Sequence, residues 1–297
     1  MDRAIILGFK RIIKTIRYRF FIFAGIFPYL LGQIIAFSTK RFLNWQNFGL
    51  GFLGIILVLI GVELFNEYFD AKSGGDRIFL KEKPKTAHYF YPLGILVFIL
   101  AFFIGLYFVI NVGWPILIFC LLGFLGAYFY VGPPLRWAYR GLGESVIAFS
   151  YGPFMVLGSY YLQTKRIDSL PIFVSLILGL LIFSLAIVNE IPDYFQDKLV
   201  GKRNIVVRLG KCNAAKLFSL CLVCIFILLG MGIGFKIIPF LSSLAFLALP
   251  FVFKSIKIAN KYYDAPAFFL PAIKMAIFTY IIVVSSLGIS YLNSVFV

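Results

Sequence analysis

Asn66, Glu67 and Asp70 stand at the end of one long apolar run, and Asn189, Glu190 and Asp193 stand at the end of another. The two stretches, Asn66-Glu67-Tyr68-Phe69-Asp70 and Asn189-Glu190-Ile191-Pro192-Asp193, repeat one pattern. Each has a further aspartate behind it, Asp76 and Asp197. Asn66 and Asp70 are four residues apart and so stack on one helix face, with Glu63 on the same stripe a turn earlier. Asn189, Asp193 and Asp197 are also spaced by four, with Pro192 placed to bend the backbone between them. Oxygen-only ligand lines without His or Cys suit Mg2+ or Ca2+ rather than zinc. Mg2+ takes one or two carboxylates and completes its shell with water and substrate phosphate. One acidic cluster beside a basic loop is as well explained by solvated charge. Two matched clusters in an apolar chain, where carboxylates are costly, read as a pair of metal–diphosphate clamps.

Basic residues near these phrases fit an anionic substrate. Lys72, Arg77, Arg140, Lys202 and Arg203 could reach the outer oxygens of a diphosphate, and Arg17 and Arg19 are weaker candidates of the same kind. Each of them is equally accounted for by membrane topology, so sequence alone does not single one out.

The elements that must position these groups follow from composition. The 297 residues are 62% hydrophobic and 13% charged, with a mean hydropathy of +0.97, which excludes an ordinary soluble domain. Apolar runs approach the about 20 residues that a membrane-spanning helix needs. They fall near 20–37, 48–65, 89–112, 116–131, 145–162, 170–188, 217–234, 237–253 and 268–291. The expected fold is therefore all-α: a polytopic membrane protein of nine transmembrane helices around a central cavity, in a single domain over 1–297. The net charge of +16 is spread over short loops, which reads as orientation in a membrane and not as nucleic-acid binding. Residues 1–19 form a basic leader suited to anionic headgroups, and the run after it lacks a small-residue cleavage site.

With nine spans, 22 of the Lys and Arg residues lie on the N-terminal side and 5 lie opposite, with Lys274 inside the last span. That bias places the N-terminus and both acidic phrases in the cytoplasm of a multi-pass inner-membrane protein. The loops 66–88 and 189–211 are then cytoplasmic lids over the polar end. The repeated phrase suggests two parallel four-helix units plus one helix. Cys221 and Cys224 form a CxxC inside an apolar helix, where packing is the expected role, and Cys120 and Cys212 add no metal-site spacing.

The sequence resembles the UbiA-type membrane prenyltransferases. The resemblance rests on Asn66-x3-Asp70-x5-Asp76, on Asn189-x3-Asp193-x3-Asp197, on Tyr139-Arg140-Gly141-Leu142-Gly143-Glu144, and on Gly201-Lys202-Arg203 leading to Val207-Arg208-Leu209-Gly210. Within that family the spacing looks most like the 1,4-dihydroxy-2-naphthoate polyprenyltransferases of menaquinone synthesis. Asn204 departs from the threonine that many relatives carry, and His88 is the lone histidine.

The resemblance implies Mg2+-dependent transfer of a polyprenyl group from its diphosphate to an aromatic acceptor. Asp70 and Asp76 with Asn66 would hold one ion, and Asp193 and Asp197 with Asn189 the other. Tyr139 would stabilise positive charge at the allylic carbon, and Arg140 would assist the diphosphate. Other acceptors stand as alternatives: 4-hydroxybenzoate, homogentisate, a chlorophyllide-type alcohol or a glycerol-phosphate lipid. An ion-coupled transporter would carry its acids at mid-membrane, whereas these stand at one surface. A lipid-binding scaffold would tolerate Asp70→Ala and Asp193→Ala.

Overall fold

The structure is a computed structural model that describes residues 25–73 and 88–296, without the side chains of Asp70 and Ser73. The leader 1–19, Asp76, Arg77 and most of the first lid loop lie outside the described residues. Among the described residues the fold is all-helical, and no strand occurs.

Helix α1 is Phe27–Lys40 and α2 is Trp45–Ser73. Helix α3, Phe90–Asn111, turns at Gly113 into α4, Pro115–Val131. Gly113 holds φ at 151°, a conformation that a side chain would strain, and Pro115 opens α4 where its missing N–H costs nothing. A 3-10 turn, Trp137–Tyr139, leads to α5, Gly143–Phe149. A π-helical turn, Ser150–Phe154, joins α5 to α6, Met155–Thr164. Pro153 lies inside that turn; it cannot donate to the helical ladder, and the wider turn absorbs the defect. Helix α7 is Ser169–Glu190. Two short helices follow, α8 at Tyr194–Leu199 and α9 at Ile205–Leu209. Helix α10 is Lys211–Gly234. A 3-10 stretch, Phe240–Ala248, runs into α11, Leu249–Tyr262, and α12 is Pro266–Phe296.

Six of the described helices are long and apolar enough to cross a membrane: Trp45–Phe69, Phe90–Asn111, Ser169–Glu190, Lys211–Gly234, Phe240–Tyr262 and Pro266–Phe296. Pro115–Val131 is shorter but equally apolar. Helix α7 is the hub. Of its most apolar stretch 67% is buried, against 22% for α3, which turns Leu96, Phe103, Leu106 and Ile110 outward. The π-helical turn meets α7 backbone to backbone, because a Cβ on Gly152 would lie 2.5 Å from the Gly179 Cα. Small residues at that crossing let the two elements touch.

Three boundaries differ from the sequence expectation. Residues 66–73 continue α2 and are not loop, because the sequence has no Gly or Pro between Gly61 and Gly74 to end the helix. The loop 189–211 contains α8 and α9. The eighth apolar segment runs Phe240–Tyr262 and not 237–253, so Lys254, Lys257 and Lys261 stand on α11. Val252, Ser255 and Ala259 are buried at helical spacing on one side of α11 while these lysines are exposed on the other, and this amphipathic end was read as loop. The four cysteines are free thiols.

Candidate active site

A cavity of about 1340 Å³ runs through the helix bundle. Its polar end carries Glu63 and Asn66 from α2, Tyr139 from the 3-10 turn, and Asn189, Glu190, Asp193, Gln196, Asp197 and Lys202 from the end of α7 onward. Aromatic side chains including Phe98, Phe102, Phe124 and Tyr128 form much of its wall, and Tyr29, Gly51 and Leu162 line its other parts. Asn66 of the first phrase and Asn189, Glu190 and Asp193 of the second, more than a hundred residues apart in sequence, thus line one cavity.

Local sequence explains each placement. On α2 the spacing of Glu63 and Asn66 carries both to the cavity side, and Glu63 is buried at 6% exposure. The Asn66 Oδ1 is buried without a hydrogen-bond partner. Such an orphaned oxygen is costly unless a ligand satisfies it. On α7, Asn189 spends its amide nitrogen on the Leu185 carbonyl at 2.7 Å, a bond that does not use its oxygen. Pro192 does more than bend the helix. Helix α7 stops at Glu190, Asp193 takes the N-cap position of α8, and Asp197 is one turn further on. Asn189, Asp193 and Asp197 reach the cavity from this break, not from one continuous stripe.

Asp197 is held on both oxygens. Oδ2 accepts a 2.7 Å bond from Asn204 Nδ2, and Oδ1 lies 3.5 Å from Lys202 Nζ. The Glu144 and Glu190 carboxyl groups are neighbours, and Oε2 of each is buried without a hydrogen-bond partner. Glu144 is fully buried, and its Oε1 accepts from the Ile205 N–H at 2.6 Å. That bond ties the start of α5 to the loop carrying Lys202.

Of the cations considered for a diphosphate, Lys202 lines the cavity, while Lys72, Arg140 and Arg203 do not. Lys72 is exposed, with Nζ 6.0 Å from the Tyr68 ring centroid. Arg140 donates to the Pro134 carbonyl at 3.2 Å, and exposed Arg203 gives its carbonyl to Arg208 Nε at 2.8 Å. Sequence reading named Glu190 in the second phrase and Glu144 in the Tyr139–Glu144 stretch without giving either a role of its own, and it passed over Gln196 and Arg136, which nothing in the sequence marked.

Among the described residues no three His, Cys, Asp or Glu side chains cluster as a metal site. The Asp70 side chain and Asp76 lie outside that set. The donors that are placed are oxygens: the orphaned Asn66 Oδ1, Asn189 and Asp193 on the same cavity. That set fits Mg2+, which needs few protein ligands and leaves places for water and phosphate.

Among the described residues the fold is all-helical, with six helices long and apolar enough to cross a membrane and an apolar cavity with an acidic end, the class of a multi-pass membrane protein. The model of the UbiA prenyltransferase family matches residues 25–282. The chain belongs to that family and is a multi-pass membrane prenyltransferase. It is 22% identical over 253 residues to a 2-carboxy-1,4-naphthoquinone phytyltransferase of Synechocystis, covering 82% of this chain and 80% of that one. It is 28% identical over 206 residues to a 1,4-dihydroxy-2-naphthoate octaprenyltransferase of Bacillus subtilis, covering 66% and 65%. A solved structure of digeranylgeranylglyceryl phosphate synthase shares the fold at a TM-score of 0.65 and 18% identity, over 96% of this chain and 99% of that one.

Proposed function

We propose that this enzyme transfers a polyprenyl group from polyprenyl diphosphate to 1,4-dihydroxy-2-naphthoate in menaquinone biosynthesis, with Mg2+ as its cofactor. One observation carries the reading: Glu63 and Asn66 from α2 and Asn189, Glu190, Asp193 and Asp197 from the second phrase line one apolar cavity that is larger than the ~300–1,000 Å³ usual for small-molecule pockets. Such a cavity has a place for a diphosphate and a place for a long hydrocarbon. The acceptor is supported by the two relatives above, whose names both specify a carboxylated naphthalene ring system.

Asn66, Asp70 and Asp76 would hold one ion and Asn189, Asp193 and Asp197 the other. Bound there, Mg2+ supplies the positive charge that offsets the departing diphosphate. Lys202, beside Asp197 at the cavity edge, adds charge to the same oxygens. The allylic C–O bond breaks, pyrophosphate leaves, and a ring carbon of the acceptor forms the new C–C bond. The ring then loses a proton, or carbon dioxide if the substituted carbon bears the carboxylate. The Tyr139 ring offers its π-electrons to the allylic cation. The apolar walls exclude the water that would otherwise capture that cation as an alcohol.

The same reading places the N-terminus and the acidic cavity end in the cytoplasm of the inner membrane, with nine spans. Helices α2 and α7 both finish at the acidic cavity end, as two parallel four-helix units would require.

The test is prenyl transfer by the purified protein, with and without Mg2+, to 1,4-dihydroxy-2-naphthoate, 4-hydroxybenzoate, homogentisate, a chlorophyllide and a glycerol phosphate. Product with the naphthoate alone supports the assignment. Product only with another acceptor overturns it.

A further inference from the structure

Asn204 is 2% exposed and does not itself line the cavity. Its side-chain amide is used at both ends. Nδ2 donates to Asp197 Oδ2 at 2.7 Å, and Oδ1 accepts from the Val207 N–H at 2.7 Å, capping α9. These two bonds fix the amide orientation, because the nitrogen must face the carboxylate and the oxygen must face the N–H. The backbone closes the same loop: the Lys202 N–H donates to the Asp197 carbonyl at 2.9 Å, and Gly201 takes φ of 78° to allow the turn. Glu144 anchors the next residue through the Ile205 N–H. Asp197 is 7% exposed, so the direction of its carboxylate is set by what packs against it.

We propose that Asn204 is a positioning residue for diphosphate binding: it aims the Asp197 carboxylate into the cavity and keeps Lys202 beside it. The proposal rests on the reading of Asp197 and Lys202 as part of the diphosphate site. Chemistry separates this role from simple capping of α9. An aspartate at 204 caps as well as asparagine but turns a carboxylate toward Asp197. A threonine hydroxyl both accepts from the Val207 N–H and donates to a carboxylate, whereas a valine of the same shape does neither. Partners that orient metal-binding carboxylates typically contribute a factor of about 10–100 in affinity or activity.

The experiment compares the full-length protein with N204T, N204V and N204D, all purified in the same detergent. The probe is pyrophosphate with Mg2+, read by the shift in unfolding temperature across a titration. Unfolding without ligand is recorded for each variant, as is KM against kcat for prenyl diphosphate. The expected result is half-saturation raised at least about tenfold in N204V and N204D and kept near wild type in N204T. N204D should unfold near the wild-type temperature, and the loss should fall on KM more than on kcat. Wild-type pyrophosphate binding in both N204V and N204D overturns the proposal and leaves Asn204 as a helix cap. If the wild-type protein itself gains no stability from Mg2+ and pyrophosphate, the diphosphate site fails and the proposal fails with it. Because the probe contains no acceptor, an error in the naphthoate assignment does not touch the result.

Discussion

The guanidinium of Arg136 lies 4.2 Å from the centroid of the Tyr139 ring. Arg136 reaches that position from a left-handed backbone, φ 48°, just before the 3-10 turn that carries Tyr139 to the cavity. One face of the ring therefore already holds a cation. A carbocation arriving from the cavity must use the remaining face or the phenol oxygen, and the two positive charges would compete for one π-system.

That geometry sets a measurable order among variants. Tyr139→Phe keeps the ring and should turn over within a few-fold of wild type. Tyr139→Ala removes the ring and should lower kcat by about 30-fold, the value of a desolvated cation–π contact of ~2 kcal/mol. Single-turnover rates at saturating prenyl diphosphate separate these outcomes from changes in binding. If Tyr139→Phe is as slow as Tyr139→Ala, the hydroxyl matters and the ring does not.

Asp193→Asn and Asn66→Ala test the two halves of the acidic end independently, since one side chain belongs to the N-cap of α8 and the other to α2. Each should lower activity by more than the about 10–100-fold typical of outer-shell partners, because each removes a direct ligand in the proposed arrangement. The losses should not add when the variants are combined, because both act on one bound diphosphate. Rates for the two single variants and the double variant decide this; full additivity would assign the two phrases to separate events.

Chelation gives a different discriminator. The fold is held by an apolar core packed around α7, and of the described helices only the short α8 and α9 stand at the acidic end. EDTA should therefore abolish prenyl transfer while leaving helical content and monodispersity unchanged, and added Mg2+ should restore the rate. Circular dichroism and size exclusion on the chelated protein provide the check. Unfolding on chelation would make the ions structural.

The membrane class was legible because long apolar runs survive in one dimension, and the repeated spacing pointed to Asn66, Asn189 and Asp193, which line one cavity. Where the reading slipped, charge was the cause. Glu67, Asp70 and Lys72 look like loop after an apolar run, yet α2 carries them to Ser73. Lys254, Lys257 and Lys261 look like loop for the same reason, and they stand on the exposed side of α11. The cations near the site were beyond sequence. Lys202 and Arg203 are neighbours in the chain, but only Lys202 lines the cavity, because the turn at Gly201 and the Asn204 cap fold that loop back onto Asp197. The Arg136 stack depends on a backbone conformation that no residue type announced.

Two glycines make the last prediction, because an added side chain should destabilise the protein at one and not at the other. A Cβ on Gly152 would lie 2.5 Å from the Gly179 backbone at the hub of the bundle. Gly152→Ala must push the π-helical turn off α7 and should destabilise the protein by about 1–3 kcal/mol, as overpacking does. Gly123 on α4 lines the cavity, and a Cβ there would meet nothing within 4 Å. Gly123→Leu should leave stability nearly unchanged and take up space that the prenyl chain would occupy. It should raise KM for the longest prenyl diphosphates and shift the preference toward shorter ones. A chain-length series of donors run on both variants reads this directly. An unchanged preference in Gly123→Leu would mean that the hydrocarbon lies along another part of the cavity wall.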